Sequence, residues 1–409
     1  MNGQNWIIEH PCPQCGGPVD LEETDHLLTC TFCRTSLYID APRHFRYFIP
    51  PCKSLSRHLS ENVLFMPYWR IRGLTYAFEP LAMTNRYIDT NLSAMAANGI
   101  PPSTGLRPQA MRLKYAIPEA EGQFLKPQRT LYDVMPETDR SAIVNHHTLF
   151  IGETVSIIYA PMTISQDTLY DAVLQRPVAK CFMDAQNPWE YETAGMEIRF
   201  IPTLCPQCGW DLKGESEALV LMCSNCQTAW MCKDGGFHQA PFTVVKGASD
   251  SLAYLPFWKI TAHITGIKAS SYADFVHLAN LPRIVTAAME DQPLRFWSPA
   301  FKVNPALFLR WSRQMTTLQP EDDLPAGLPA CGTYPVTLPV EEALENILVI
   351  LGHTMTDKRA FFKALPDIHI VLKESLLVFQ PFIIGSRELT HEKMGIVIEK
   401  NALRYGSSM

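Results

Sequence analysis

Eight of the twelve cysteines in this 409-residue chain stand in pairs two residues apart. Cys12-Pro-Gln-Cys15 is followed by Cys30-Thr-Phe-Cys33, and Cys205-Pro-Gln-Cys208 by Cys223-Ser-Asn-Cys226, so both groups read C-x2-C-x14-C-x2-C. Two residues between thiolates let one tight turn aim both at a single ion, and two such turns close a tetrahedron of soft ligands. The chemistry suits one structural Zn2+ at each group, with iron in a four-sulfur site as the competitor. Four thiolates leave no open position for a catalytic water. Free thiols or redox pairs are the other reading, and two copies with identical spacing argue against it. Gly16 and Gly209 follow the first pair of each group, where a turn needs positive φ to continue.

Both stretches resemble the zinc-ribbon family, over about thirty residues in each place. The resemblance implies two short β-hairpins clamping one ion in each place. Cys12, Cys15, Cys30 and Cys33 would be ligands of the first site, and Cys205, Cys208, Cys223 and Cys226 of the second. Zinc ribbons occur in many unrelated proteins, so the resemblance names a module and no activity.

Cys52, Cys181, Cys232 and Cys331 are isolated from one another and read as small buried apolar residues. Other residue groups are weaker. His146-His147 lacks any ligand spacing such as HExxH. Arg43-His44-Phe45-Arg46-Tyr47-Phe48 interleaves basic and aromatic residues as single-strand nucleic-acid platforms do, but a strand with one solvated face explains it equally well. Arg107, Arg112, Lys114, Lys126 and Arg129 could form an anion patch, which Glu119 and Glu121 dilute. The phosphate-loop, dinucleotide, nucleophile-elbow and calcium-loop patterns do not occur.

The elements that must hold the cysteines repeat as well. Met66-Pro67-Tyr68-Trp69-Arg70-Ile71 follows the first group, and Leu255-Pro256-Phe257-Trp258-Lys259-Ile260 the second. The offset is 193 residues for the cysteines and 189 for these stretches. Ala110-Met111-Arg112-Leu113 is similar to Ala300-Phe301-Lys302-Val303 at 190, and Gly152-Glu153-Thr154 loosely to Lys373-Glu374-Ser375. Period-two alternation predicts strands over 68–78 and 257–266, with Trp69 and Trp258 as core anchors. Strands are also predicted over 153–164 and 375–384, where Pro161 and Pro381 argue for an edge or a bulge. Helices are predicted over 306–318 behind Asn304-Pro305, over 340–351, and over 271–289 with a break near Pro282.

The expected fold class is α+β: two tandem pseudo-repeats, each a zinc ribbon followed by a mostly antiparallel β domain with helical insertions. The segments are 1–40, 41–195, 196–236 and 237–409. No apolar run approaches a membrane span, and the first residues carry no basic or apolar signal, so a soluble, cytoplasmic protein is expected. The formal charge of −6 moves to about −10 with two four-thiolate zinc sites, which disfavours nucleic acid as partner. The function expected is a non-enzymatic interaction protein, an adaptor, scaffold or assembly factor that binds protein partners or itself. A nucleic-acid-associated protein is the alternative. An enzyme using residues such as His146, Glu153 or His263 between the halves is the third.

Overall fold

The computed structural model describes residues 6–41, 44–52, 63–96, 99–105, 111–117, 120–131, 133–134, 147–180, 189–192, 198–249, 251–320, 327–328 and 332–406. The fold is mostly β, with 44% strand and 17% helix, and its two large sheets curl into half-barrels. The helical share is smaller than the α+β expectation.

The first cysteine pair lies between β1 (Ile7–Pro11) and β2 (Pro18–Glu22), and the second between β3 (Leu27–Thr29) and β4 (Ser36–Asp40). An eight-stranded sheet follows, made of β5 (Phe45–Phe48), β6 (Leu64–Phe78), β7 (Met83–Ser93), β8 (Lys114–Tyr115), β9 (Gln123–Phe124), β10 (His147–Ser165), β11 (Thr168–Asp171) and β12 (Arg176–Lys180). β13 (Arg199–Pro202) then pairs antiparallel with β4 and completes the sheet β13-β4-β3.

The second cysteine group sits around β14 (Val220–Cys223) and β15 (Thr228–Lys233), and β16 (Gly236–Ala240) completes that sheet. The six-stranded sheet contains β17 (Phe242–Val244), β18 (Leu252–Thr265), β19 (Phe296–Pro299), β20 (His369–Ile384), β21 (Glu388–His391) and β22 (Val397–Glu399). Among the described residues the helices include α1 (Tyr272–Leu278), α2 (Ala287–Asp291), α3 (Pro305–Leu318), α4 (Val340–Thr354), α5 (Lys358–Ala364) and α6 (Lys400–Gly406). Asn304 caps α3 by accepting from the Ala306 amide at 3.0 Å, as its sequence predicts. The 271–289 stretch breaks into α1 and α2, with Pro282 between them.

Close packing divides the chain into two compact units. One is Met1–Arg72, Ile88–Ile143 and Glu153–Thr203; the other is Gly73–Tyr87, Val144–Gly152 and Leu204–Met409. The second unit's core accordingly contains Leu74, Tyr76, Phe78 and Ile151 beside residues of β18, β20 and α3 to α5. A Cβ on Gly352 would stand 2.4 Å from the Phe78 ring, so α4 needs glycine there.

The two large sheets share a wiring pattern. β10 pairs in parallel with β5 and antiparallel with β11; β20 pairs in parallel with β17 and antiparallel with β21. Ile49 N–H donates to Tyr159 C=O at 3.0 Å, and Val245 N–H to Phe379 C=O at 3.0 Å. Pro161 and Pro381 lie inside long strands with neighbours on both sides, not at sheet edges. Each falls where the outer neighbour changes, from β5 to β11 and from β17 to β21, so no ladder donor is missed.

The two tryptophans are buried anchors, 7% and 2% exposed. Trp69 Nε1–H donates to Arg129 C=O at 2.8 Å, and Trp258 Nε1–H to Leu338 C=O at 2.8 Å. Ala94 N–H donates to Pro67 C=O, and Ala300 N–H to Pro256 C=O, both at 3.0 Å. Ala94 C=O accepts from Gln128 and Arg129, and Ala300 C=O from Thr337 and Leu338. By these bonds Ala300 takes the place of Ala94; Ala110, which the sequence similarity sets against Ala300, lies outside the described residues. Leu113 instead exchanges backbone hydrogen bonds with β1 through Ile7 and Glu9.

Candidate metal centres

Each cysteine pair sits in a tight turn closed by its own backbone. In the first group Gly16 N–H donates to Cys12 C=O at 2.8 Å, and Cys12 N–H to Gly17 C=O at 2.7 Å. In the second, Gly209 N–H donates to Cys205 C=O at 2.8 Å, and Cys205 N–H to Trp210 C=O at 2.8 Å. Gly16 and Gly209 take φ of 75° and 72°, the left-handed backbone their position predicts. Arg34 and Gln227, after the second pair of each group, also take positive φ.

These turns bring four sulfurs together twice. Within Cys12, Cys15, Cys30 and Cys33, and within Cys205, Cys208, Cys223 and Cys226, all ligand atoms lie within 4.8 Å of one another. Sγ separations are 3.7 Å for Cys12–Cys33 and Cys15–Cys30, 3.6 Å for Cys205–Cys226 and 3.4 Å for Cys208–Cys223. A tetrahedron with metal–sulfur bonds of about 2.3 Å has edges of about 3.8 Å, whereas a disulfide holds its sulfurs at about 2.05 Å. Both groups therefore could hold a metal ion, and the donor set admits zinc or iron.

The groups around the sulfurs favour the thiolate at Cys33 and Cys208, whereas desolvation and hydrogen bonds with the other cysteines push Cys15 and Cys226 up to about 12. The Thr35 hydroxyl lies 3.3 Å from Cys33 Sγ and, with the Thr35 backbone, holds that thiol down at about 6. The Asn225 side chain, with the Trp210 backbone, holds Cys208 down at about 6. Thr228 Oγ1 stands 2.9 Å from Cys226 Sγ and accepts from Trp230 Nε1–H at 2.8 Å. Each cage also carries one exposed aromatic, Phe32 on the first and Trp210 on the second. They come from opposite turns: Gly17 stands where Trp210 would, and a Cβ on Gly17 would meet the Phe32 ring at 2.8 Å.

The first cage is tied to its sheet in a way that sequence reading missed. Cys12 and Cys30 share a core with Trp6, Tyr47, Leu113, Tyr115 and Ile158. Glu23, on the loop between the two cysteine turns, is buried with Arg70 and Arg72 of β6; its Oε1 lies 3.2 Å and 2.9 Å from their guanidinium nitrogens. Arg70 also pairs with Asp89, and its guanidinium lies 4.1 Å from the centroid of the Trp6 ring. Arginines at alternate positions of a strand read as a solvated face, and only the three-dimensional partner reveals otherwise.

The weaker candidates fall elsewhere. Arg43, Arg107, Glu119, His146, Cys181 and Cys331 lie outside the described residues, as do the side chains of His147 and Glu153. His44 stands edge-on to Trp69, Tyr47 is buried, and Arg46 pairs with Glu192, so the basic-aromatic run presents no stacking platform. Arg112 pairs with Asp20 at 2.7 Å and Lys126 with Glu190 at 2.9 Å, while Arg129 Nη2–H donates to Asp133 C=O at 3.1 Å. His263 is exposed on β18. Cys52 and Cys232 are half-buried and belong to neither cage. Among the described residues no helix is long and apolar enough to cross a membrane. No family model, curated protein or solved structure matches the chain.

Proposed function

We propose that this chain is a zinc-stabilised, non-enzymatic interaction protein, an adaptor, scaffold or assembly factor built from a duplicated unit, working in the cytoplasm. The observation that carries the reading is the pair of four-sulfur cages. Each is assembled wholly from cysteine, so a bound zinc would have every position filled and would act on folding, not on a substrate. The ligands proposed are Cys12, Cys15, Cys30 and Cys33 for one ion, and Cys205, Cys208, Cys223 and Cys226 for the other. Support for the duplication comes from the matched backbone bonds around Trp69 and Trp258, Ala94 and Ala300, and Pro161 and Pro381. Under this reading 1–40 and 196–236 hold the ribbons, with β13 of the latter segment paired onto the first ribbon, and 41–195 and 237–409 are the β domains that follow them. The acidic balance favours protein partners over nucleic acid.

The test is co-purification from the native host with metal measured on the same sample. Two zinc equivalents and a stable protein partner are expected. A metal-free protein that melts at the same temperature with and without chelator would end the zinc half of the reading; absence of any partner at near-native salt would end the other half.

A further inference from the structure

In the first unit, residues 189–192 close one end of the sheet. Lys126 N–H donates to Glu190 C=O and Glu192 N–H to Phe124 C=O, both at 2.8 Å, so this segment adds as a short strand beside β9. Trp189 is buried in one cluster with Leu125 and Leu169, against which Leu64 packs. The segment is acidic and its wall is basic: Glu190 pairs with Lys126 and Glu192 with Arg46.

The second unit has the same place, and among the described residues no such strand fills it. Tyr254 C=O accepts from Tyr334 N–H at 2.8 Å as Phe65 C=O accepts from Leu125 N–H at 3.1 Å. Thr333 bridges Tyr254 in parallel as Phe124 pairs with Phe65. By these bonds and the β20–β21 register, Ala253, Tyr334 and Leu389 stand where Leu64, Leu125 and Leu169 form the Trp189 seat. All three line a cleft of about 500 Å³, walled on another side by Leu403 of α6. The rim carries Glu215 and Glu217 against the single Lys400, and Pro335 stands where Lys126 does. The rim is thus acidic on balance, the reverse of the basic wall in the first unit.

We infer that this cleft docks an extended basic segment of a partner protein, with one large aromatic side chain seated on Ala253 and Leu389 and flanking Lys or Arg facing Glu215 and Glu217. Ala253, with its small side chain, leaves the room that the aromatic needs. Thr333 C=O is placed to accept one backbone hydrogen bond, as Phe124 C=O does. Pro335 offers no N–H, so the segment lies against the strand by one bond instead of two, and the aromatic and the charges carry the selectivity. The inference rests on the interaction-protein reading and names the partner's chemistry.

The probe is the fluorescein-labelled peptide Gly-Trp-Lys-Tyr-Lys-Gly, the 189–192 sequence with both glutamates reversed in charge. It is read by anisotropy against the full chain at about 0.15 M salt. Saturable binding is expected, at least about tenfold tighter than for the peptides with Ala for Trp or with Glu for Lys. Ala253→Trp, which fills the cleft, should abolish it; Glu215→Lys with Glu217→Lys should weaken it at least about tenfold. A melting curve and Ala253→Leu guard against a misfolded variant. Equal binding of the Trp and Ala peptides, no saturation by about 1 mM, or an unchanged affinity in both folded Ala253 variants overturns the site. A native partner whose capture survives Ala253→Trp would keep the adaptor reading and remove this cleft from it.

Discussion

The two cysteine cages are nearly identical inside and differ in what holds them. Cage geometry, turn hydrogen bonds and the left-handed glycines match within a few tenths of an ångström and a few degrees. The third strand of the second ribbon is β16, joined to β15 by a tight turn at Asp234 and Gly235. The third strand of the first ribbon is β13, which returns from far along the chain to pair with β4. The first ribbon is then bolted to its sheet by Glu23, Arg70 and Arg72, whereas the second unit has exposed Ser216, on the ribbon loop, and half-buried Lys259 and Thr261 in the corresponding positions. A four-sulfur site can thus be the same chemical object and yet take its third strand from next door in one place, and from a distant segment with a buried ion pair in the other. Metal loss should be felt through the sheet more strongly at the first ribbon than at the second.

Substitution at the bolt should separate the two most strongly. Glu23→Gln leaves two buried guanidinium groups short of a charge and should cost about 3–5 kcal/mol in denaturant unfolding; Ser216→Ala should fall within about 0.5 kcal/mol of wild type. An equal effect at both positions would erase the distinction.

Acid should then separate the units. His391 is buried, accepts from the Lys393 and Met394 amides at 3.2 Å, and is held down at about 4 by that burial. Asp171 does the same turn-closing work in the first unit, accepting from the Val173 and Leu174 amides. A histidine with a depressed folded pKa favours the folded state while neutral, so its contribution is intact above about 6.5 and is lost as pH falls toward 4. The loss should be at most about 3 kcal/mol, and His391→Asn should flatten that part of the stability profile.

Trp69→Phe and Trp258→Phe each remove one indole hydrogen bond to a backbone carbonyl. Costs of about 1–2 kcal/mol are expected, close to equal in the two places; a large disparity would weaken the duplication. The smallest effect concerns the cages themselves. Asn225→Ala removes a hydrogen bond to Cys208 that Phe32 cannot supply in the first cage, and should lower metal retention about tenfold at the second site alone, measured by competition with a chromophoric chelator.

The cages were legible in the sequence because their chemistry is local: spacing and turn residues suffice. The tryptophan strands and the asparagine-capped α3 were legible for the same reason, through period and capping. What could not be read are pairings between distant short strands and the fate of charges on alternating strands. β13 is four residues with no marked pattern, and nothing in Arg70 or Arg72 announces a carboxylate some fifty positions earlier. The likeness of Ala110-Met111-Arg112-Leu113 to Ala300-Phe301-Lys302-Val303 shows the converse hazard. Short matched runs can be chemically similar and still stand at different places in the hydrogen-bond ladder.

The distance between β4 and β13 has a consequence for biogenesis. When the first four cysteines have left the ribosome, the strand that will cover their ribbon is still untranslated, and at about 5–20 residues per second it follows on the order of ten to thirty seconds later. During that interval the four cysteines of the first cage stand with one flank bare. The second ribbon has its third strand within the same stretch of nascent chain, and only its contacts to Leu328 and Val336 wait for later residues.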